Sequence, residues 1–260
     1  MSEFSLFQQL AGSLYIVSTL VFAVTAGVVG LRLVALSRRT GGRPERLLGL
    51  GLQLTACWGY GVMIFSIIAR QASGQIEHPA GIALTAIGWV IHNVGVMYML
   101  RFVIVVFRPD DLWARILAGV MAVLLWTGWG IYAGRGGLVS SVPQGGYWVA
   151  FAAIGTYPIW ASVEAFRYWG LMRRRAAIGL ADPVLVDRFS LWGIASLSAA
   201  ASIWVVNVPV WMGAPVGSPD TNLVTSLAMI ATAGFGLTTV GAYWLTFFPP
   251  HWYRARLTAS

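Results

Sequence analysis

Residues 81–109 read GIALTAIGWVIHNVGVMYMLRFVIVVFRP, and the way this stretch must be solvated decides the fold of the chain. No charged side chain occurs before Arg101, so at 1.5 Å per residue a helix here can cross the ~30 Å of a bilayer's hydrocarbon core. Phe107-Arg108-Pro109, with Trp113 and Arg115 behind them, marks the exit. Gly81, Gly88 and Gly95 return every seven residues. A helix drifts only ~20° per heptad, so the three glycines share one face, where a neighbouring backbone can come close. His92 stands four residues after Gly88 and three before Gly95, on that same face. A histidine at this depth is costly unless it turns inward and finds a partner.

The rest of the chain repeats the same kind of segment. Hydrophobic residues make up 58% and charged residues 10%, against roughly 25% charged in soluble domains. Apolar spans are read at residues 14–36, 47–69, 80–105, 114–133, 146–169, 189–212 and 222–247. Each reaches the ~20 residues a crossing needs, and the connections are too short to house a soluble domain. The expected fold is therefore all-α and integral to the membrane, a single seven-transmembrane-helix bundle. No small-residue cleavage site follows the first span, so that span is expected to stay rather than to be removed as a signal peptide.

All 17 basic residues are arginine. Arg32, Arg38, Arg39, Arg43 and Arg46 flank the first connection, Arg101, Arg108 and Arg115 the third, and Arg167, Arg173, Arg174, Arg175 and Arg188 the fifth, with Arg254 and Arg256 in the tail. Only Arg70 and Arg135 fall at the opposite ends of the spans. The positive-inside rule then predicts a multi-pass protein of the plasma (inner) membrane, its N-terminus outside and its C-terminus cytoplasmic. Topology accounts for the net charge of +8, and no nucleic-acid partner is expected. Without lysine, neither retinal nor pyridoxal phosphate can be held by a side-chain imine. A single cysteine, Cys57, supports neither a disulfide framework nor a cysteine metal site. A haem would find one buried histidine and at best a methionine such as Met63, Met97 or Met229, so no cofactor and no metal are expected.

The exit of the opening stretch returns 140 residues later as Phe247-Phe248-Pro249 followed by Tyr253 and Arg254, with Pro79 matched by Pro219 and His92 by Thr232. Arg32, Leu36 and Arg38-Arg39 likewise return as Arg167, Leu171 and Arg173-Arg174, displaced by 135. Spans 1–3 thus echo spans 5–7, a possible 3+1+3 parallel internal repeat in which the fourth span restores the direction of the second triplet.

Polar and aromatic residues inside the spans are the candidate ligand contacts. His92, Asn93 and Trp89 cluster in the third span; Tyr157 and Trp160 flank Pro158 in the fifth; Trp204 and Asn207 precede Pro209 in the sixth. Interior prolines remove a helical hydrogen bond and favour a kink, where Asn207 can bond a freed carbonyl or a ligand. Thr225, Thr232 and Thr239 form a polar stripe in the seventh span, Thr232 at the depth of His92. The alternatives are a neutral His92 bonded across a helix contact and threonines bonded to their own preceding turn. Arg101 and Glu164 occupy comparable depths and are expected either to pair as a latch between two helices or to snorkel separately to the interface.

Trp204-x-x-Asn207-x-Pro209 and Ala231-Thr232-Ala233-Gly234-Phe235-Gly236 resemble the sixth- and seventh-helix patterns of microbial rhodopsins. The resemblance implies seven helices with the N-terminus outside. Thr232 stands where the retinal lysine would be, and the third span lacks that family's aspartate-tryptophan and threonine-proline pattern, so retinal pumping is not implied. The three-plus-one-plus-three plan also resembles the SWEET and PQ-loop carriers, although prolines fall only in spans 5 and 6 and Pro143-Gln144 lies in a loop. The expected function is a non-enzymatic, receptor-like membrane sensor that binds a small apolar or aromatic ligand and signals through a cytoplasmic partner. The alternatives are a small-solute transport protein of two three-helix repeats and a packing subunit of a membrane complex.

Overall fold

The computed structural model describes residues 3–74, 78–139, 145–212 and 222–258, and every regular element among them is a helix. Pro219 and Pro143-Gln144 lie outside the described residues. Seven helices are long and apolar enough to cross a membrane, namely Leu6–Thr40, Arg43–Arg70, Pro79–Phe107, Leu112–Gly134, Gly145–Ala176, Pro183–Trp211 and Leu223–Phe247. This is the architecture of a multi-pass membrane protein. The elements are α1 (Glu3–Thr40), α2 (Arg43–Leu52), α3 (Tyr60–Ser73), α4 (Pro79–Phe107), α5 (Leu112–Gly134), α6 (Gly145–Ala176), α7 (Pro183–Val205), α8 (Val208–Trp211), α9 (Asn222–Phe247) and α10 (His251–Thr258).

Most helices outrun the apolar spans read from the sequence. Two of the C-terminal extensions carry arginines, Arg38 and Arg39 in the last turn of α1 and Arg173, Arg174 and Arg175 in that of α6. Cations there complement the negative end of the helix dipole, so an apolar reading stops before the helix does. Exposed large side chains such as Val24, Leu31, Phe65, Val123 and Val163 are apolar, whereas Gln53, His92, Asn93, Glu164 and Thr239 are buried. Apolar surface and polar interior suit a lipid solvent.

The chain divides into two compact units, one formed by Ala26–Tyr157 and the other by Met1–Thr25 with Pro158–Ser260. In the first unit, glycines set the helix spacing. A Cβ on Gly30 of α1 would lie 2.8 Å from the Gly49 carbonyl oxygen of α2, and one on Gly49 would lie 2.8 Å from the Gly30 oxygen. The Gln53 amide, buried between these helices, donates to the Gly27 carbonyl at 2.5 Å. Arg70, one of the two arginines set apart by the charge pattern, lays its stem where Gly81 has no side chain. Its guanidinium donates to the Thr85 hydroxyl at 3.0 Å and the Leu138 carbonyl at 2.6 Å. That arginine joins α3, α4 and the turn after α5.

In the second unit, Asp182 caps α7, its carboxylate accepting the Val184 N–H at 2.9 Å, with Pro183 at the start of the helix where no N–H is missed. The α7 helix packs along α9, and the Thr239 hydroxyl of α9 is shared between the Ala195 carbonyl of α7 at 3.3 Å and its own Phe235 carbonyl at 3.0 Å. Pro209 interrupts the sixth span, so α7 ends at Val205 and α8 begins at Val208, whereas α6 continues through Pro158. At the break, the Asn207 amide donates to the Ile203 carbonyl at 2.9 Å. Beyond the last span, the Tyr253 hydroxyl of α10 donates to the Asp187 carboxylate of α7 at 2.7 Å. Burial, with the neighbouring carboxylate adding to it, pushes the Tyr253 phenol up to about 12, so it remains a donor throughout the neutral range.

Candidate functional site

The strongest cluster of interior polar and aromatic groups lies in the first unit, where the second span loses its regular helix. Residues Gln53–Gly59 wind as a π-helix between α2 and α3. A π segment widens the turn and shifts backbone carbonyls out of α register, a geometry found frequently at functional sites. The expected glycine face of α4 packs on it. A Cβ on Gly95 would lie 2.5 Å from the Thr55 nitrogen, and one on Gly88 would lie 3.2 Å from the Gly59 carbonyl oxygen. Conversely, a Cβ on Gly59 would reach the Cβ of His92 at 2.9 Å.

This approach fixes the histidine. His92 is 5% exposed, and its Nδ1 lies 3.3 Å from the Thr55 carbonyl oxygen. A carbonyl only accepts, so the proton sits on Nδ1, and in the neutral ring Nε2 keeps the lone pair. Tyr60 and Trp89 meet the imidazole edge-on, with centroids 5.4 Å and 6.0 Å away. Trp89 in turn touches Tyr132 of α5 and Tyr147 of α6, each at 6.2 Å. This contact crosses between helices, as in the alternative of a neutral His92 bonded across a helix contact, and the aromatic groups about the imidazole are more numerous than the sequence suggested.

Asn93, the next residue, is different. It is 0% exposed, and neither its amide nitrogen nor its amide oxygen has a hydrogen-bond partner among the described residues. An unsatisfied buried polar group costs about 1–3 kcal/mol. Two such atoms on one side chain are a marked expense inside a helix that is otherwise well packed.

The remaining candidates are distributed between the units. Tyr157 is half-buried at the end of the first unit. In the second, Trp160 is buried and its indole N–H donates to Glu164 at 3.4 Å. Trp204, 36% exposed, packs against Trp211 at 5.4 Å and presents itself to the surroundings as much as to the interior. Asn207 spends its amide N–H on the freed Ile203 carbonyl. The backbone oxygen of Thr232 accepts the Ser202 hydroxyl at 3.3 Å, and its own buried hydroxyl has no partner among the described residues.

Glu164 is 2% exposed, with Arg167 3.7 Å away on the next turn of the same helix. Arg101 belongs to the other unit and is exposed beside a cavity. An Arg101–Glu164 latch would have to join the two units and stays an expectation.

Gln53, Thr55, Tyr132 and Tyr147 were not singled out from the sequence. A faint signal existed for the first two, because Gly49, Gly51, Gly59 and Gly61 crowd the second span and invite close packing. Tyr132 and Tyr147 give no such signal, since aromatics near span ends are ordinary interface residues. Among the described residues no three His, Cys, Asp or Glu side chains group as they would to hold a metal ion. Comparison with known protein families, with curated proteins and with solved structures found no match to this chain.

Proposed function

We propose that the protein is a receptor-like membrane sensor whose ligand is a small, largely apolar or aromatic molecule bearing one polar group that both donates and accepts. The observation that carries this reading is the Asn93 amide, fully buried and unpaired among the described residues beside His92. Ionisable and polar residues held inside spans are functional by default, because membranes make them expensive to keep. Asn93 supplies two donors and an acceptor, His92 offers Nε2, and Trp89 and Tyr60 supply aromatic surface. The chemistry we propose for these groups is recognition.

The arginine-rich ends of the spans are assigned to the cytoplasm of a plasma (inner) membrane, where a separate signalling partner would dock. A reporter fused after Ser260 is expected to behave as cytoplasmic, and an external signal from it would reverse the orientation. Ligand binding is checked on the purified full chain in mild detergent. Native mass spectrometry is expected to detect a small organic adduct after incubation with a cell extract, and proteoliposomes are expected to show no flux of that compound. Flux through the proteoliposomes would replace the sensor by a carrier.

A further inference from the structure

A cavity of about 1010 Å³ lies in the first unit, apart from the His92 cluster, at the arginine-rich end of the spans. Four arginines line it from three different helices: Arg43 and Arg46 at the start of α2, Arg101 in the last turns of α4, and Arg115 in the first turn of α5. Among the described residues none of the four has an ion-pair partner. Arg115 donates to the Pro109 carbonyl at 2.6 Å, which leaves its charge uncompensated. The nearby Arg108 is already matched to Asp111 at 3.1 Å.

Arginines that served only to set orientation would be satisfied by reaching headgroups one by one along the rim. Gathering four around one cavity costs mutual repulsion and calls for an anionic counterpart. Apart from Tyr98, the rest of the wall is apolar, with Leu47, Met97 and Ile104 beside Ala118 and Ala122. Small residues on α5 keep that wall back, and a Cβ on Gly119 would meet nothing within 4 Å. A free hydrated anion gains nothing from such a wall, whereas a molecule with a charged head and a hydrocarbon tail matches both halves.

We infer that this cavity binds an anionic phospholipid, its phosphoryl headgroup held by the four guanidinium groups and one acyl chain laid against Met97, Ile104 and the small face of α5. Guanidinium forks match phosphate oxygens in pairs, and basic pockets between membrane helices are suited to anionic headgroups.

The test uses delipidated full chain in detergent, with phosphatidylglycerol, phosphatidylcholine or inorganic phosphate added and binding read by native mass spectrometry. Wild type is expected to retain phosphatidylglycerol in preference to phosphatidylcholine, and millimolar phosphate is expected not to displace it. At roughly fivefold per arginine, the double variant Arg101→Gln with Arg115→Gln is expected to weaken phosphatidylglycerol binding about 25-fold. Gly119→Trp, which meets no neighbour at its Cβ, fills the apolar part and is expected to abolish retention without lowering the thermal midpoint. It also serves as the test should the arginine variant fail to fold. Equal retention by wild type and Gly119→Trp would overturn the site. Displacement by inorganic phosphate, with no preference between the two lipids, would overturn the lipid in favour of a soluble anion.

Discussion

Gly95→Leu is expected to destroy the packing of α4 on the second span and to lower stability by about 2 kcal/mol or more. The reason is the identity of the neighbouring atoms. Even the first carbon of a side chain at position 95 would lie 2.5 Å from the Thr55 nitrogen and 2.9 Å from the Leu54 carbonyl carbon. Both are backbone, so no rotamer change relieves the clash, and α4 must withdraw from the π segment. Withdrawal also breaks the 3.3 Å contact between His92 and the Thr55 carbonyl. Thermal unfolding in detergent checks this, with Gly119→Leu as the control, since a Cβ there meets nothing within 4 Å. A Gly95→Leu midpoint equal to wild type would mean that the two helices are not in the close contact described.

Much of this architecture was legible because membrane solvation constrains sequence strongly. The seven spans follow from runs of apolar residues alone, and the heptad of Gly81, Gly88 and Gly95 announced a close helix contact that Gly88 and Gly95 make. Other features leave little mark in residue identity. The π segment at Gln53–Gly59 differs from an α-helix by a slip of hydrogen bonding, which no periodicity of side chains records. Pro158 and Pro209 look alike in sequence, yet α6 runs on through one and the sixth span breaks at the other. The break has its own compensation in Asn207, whose donation to Ile203 was readable as a possibility from spacing. For Glu164, attention to a partner on another helix passed over Trp160 and Arg167, which i,i+4 and i,i+3 spacing place beside it. Of the candidate ligand contacts, His92, Asn93 and Trp89 stay together in the first unit, whereas Trp160, Trp204, Asn207 and Thr232 fall in the second. Chain order could not show which aromatics from α3, α5 and α6 would join them.

The second large effect concerns Asn93, where the expected sign is opposite to that of most core substitutions. Leucine has the same number and branching of side-chain heavy atoms as asparagine and carries no polar atom, so Asn93→Leu removes two buried unpaired groups without opening a cavity, and the larger volume of its methyl groups offsets only part of that gain. Stability is expected to rise by about 1–3 kcal/mol, the cost of leaving such a group unsatisfied. Binding is expected to fall at the same time, since the amide is the group that recognises the ligand's polar atom. Gains in stability accompanied by loss of function mark a site retained for its task rather than for the fold.

The most direct measurement therefore compares wild type and Asn93→Leu side by side, recording thermal midpoint and small-molecule retention by native mass spectrometry on the same preparations. The account predicts a higher midpoint and no retained ligand for Asn93→Leu. A lower midpoint with retention unchanged would contradict it and make Asn93 a structural residue.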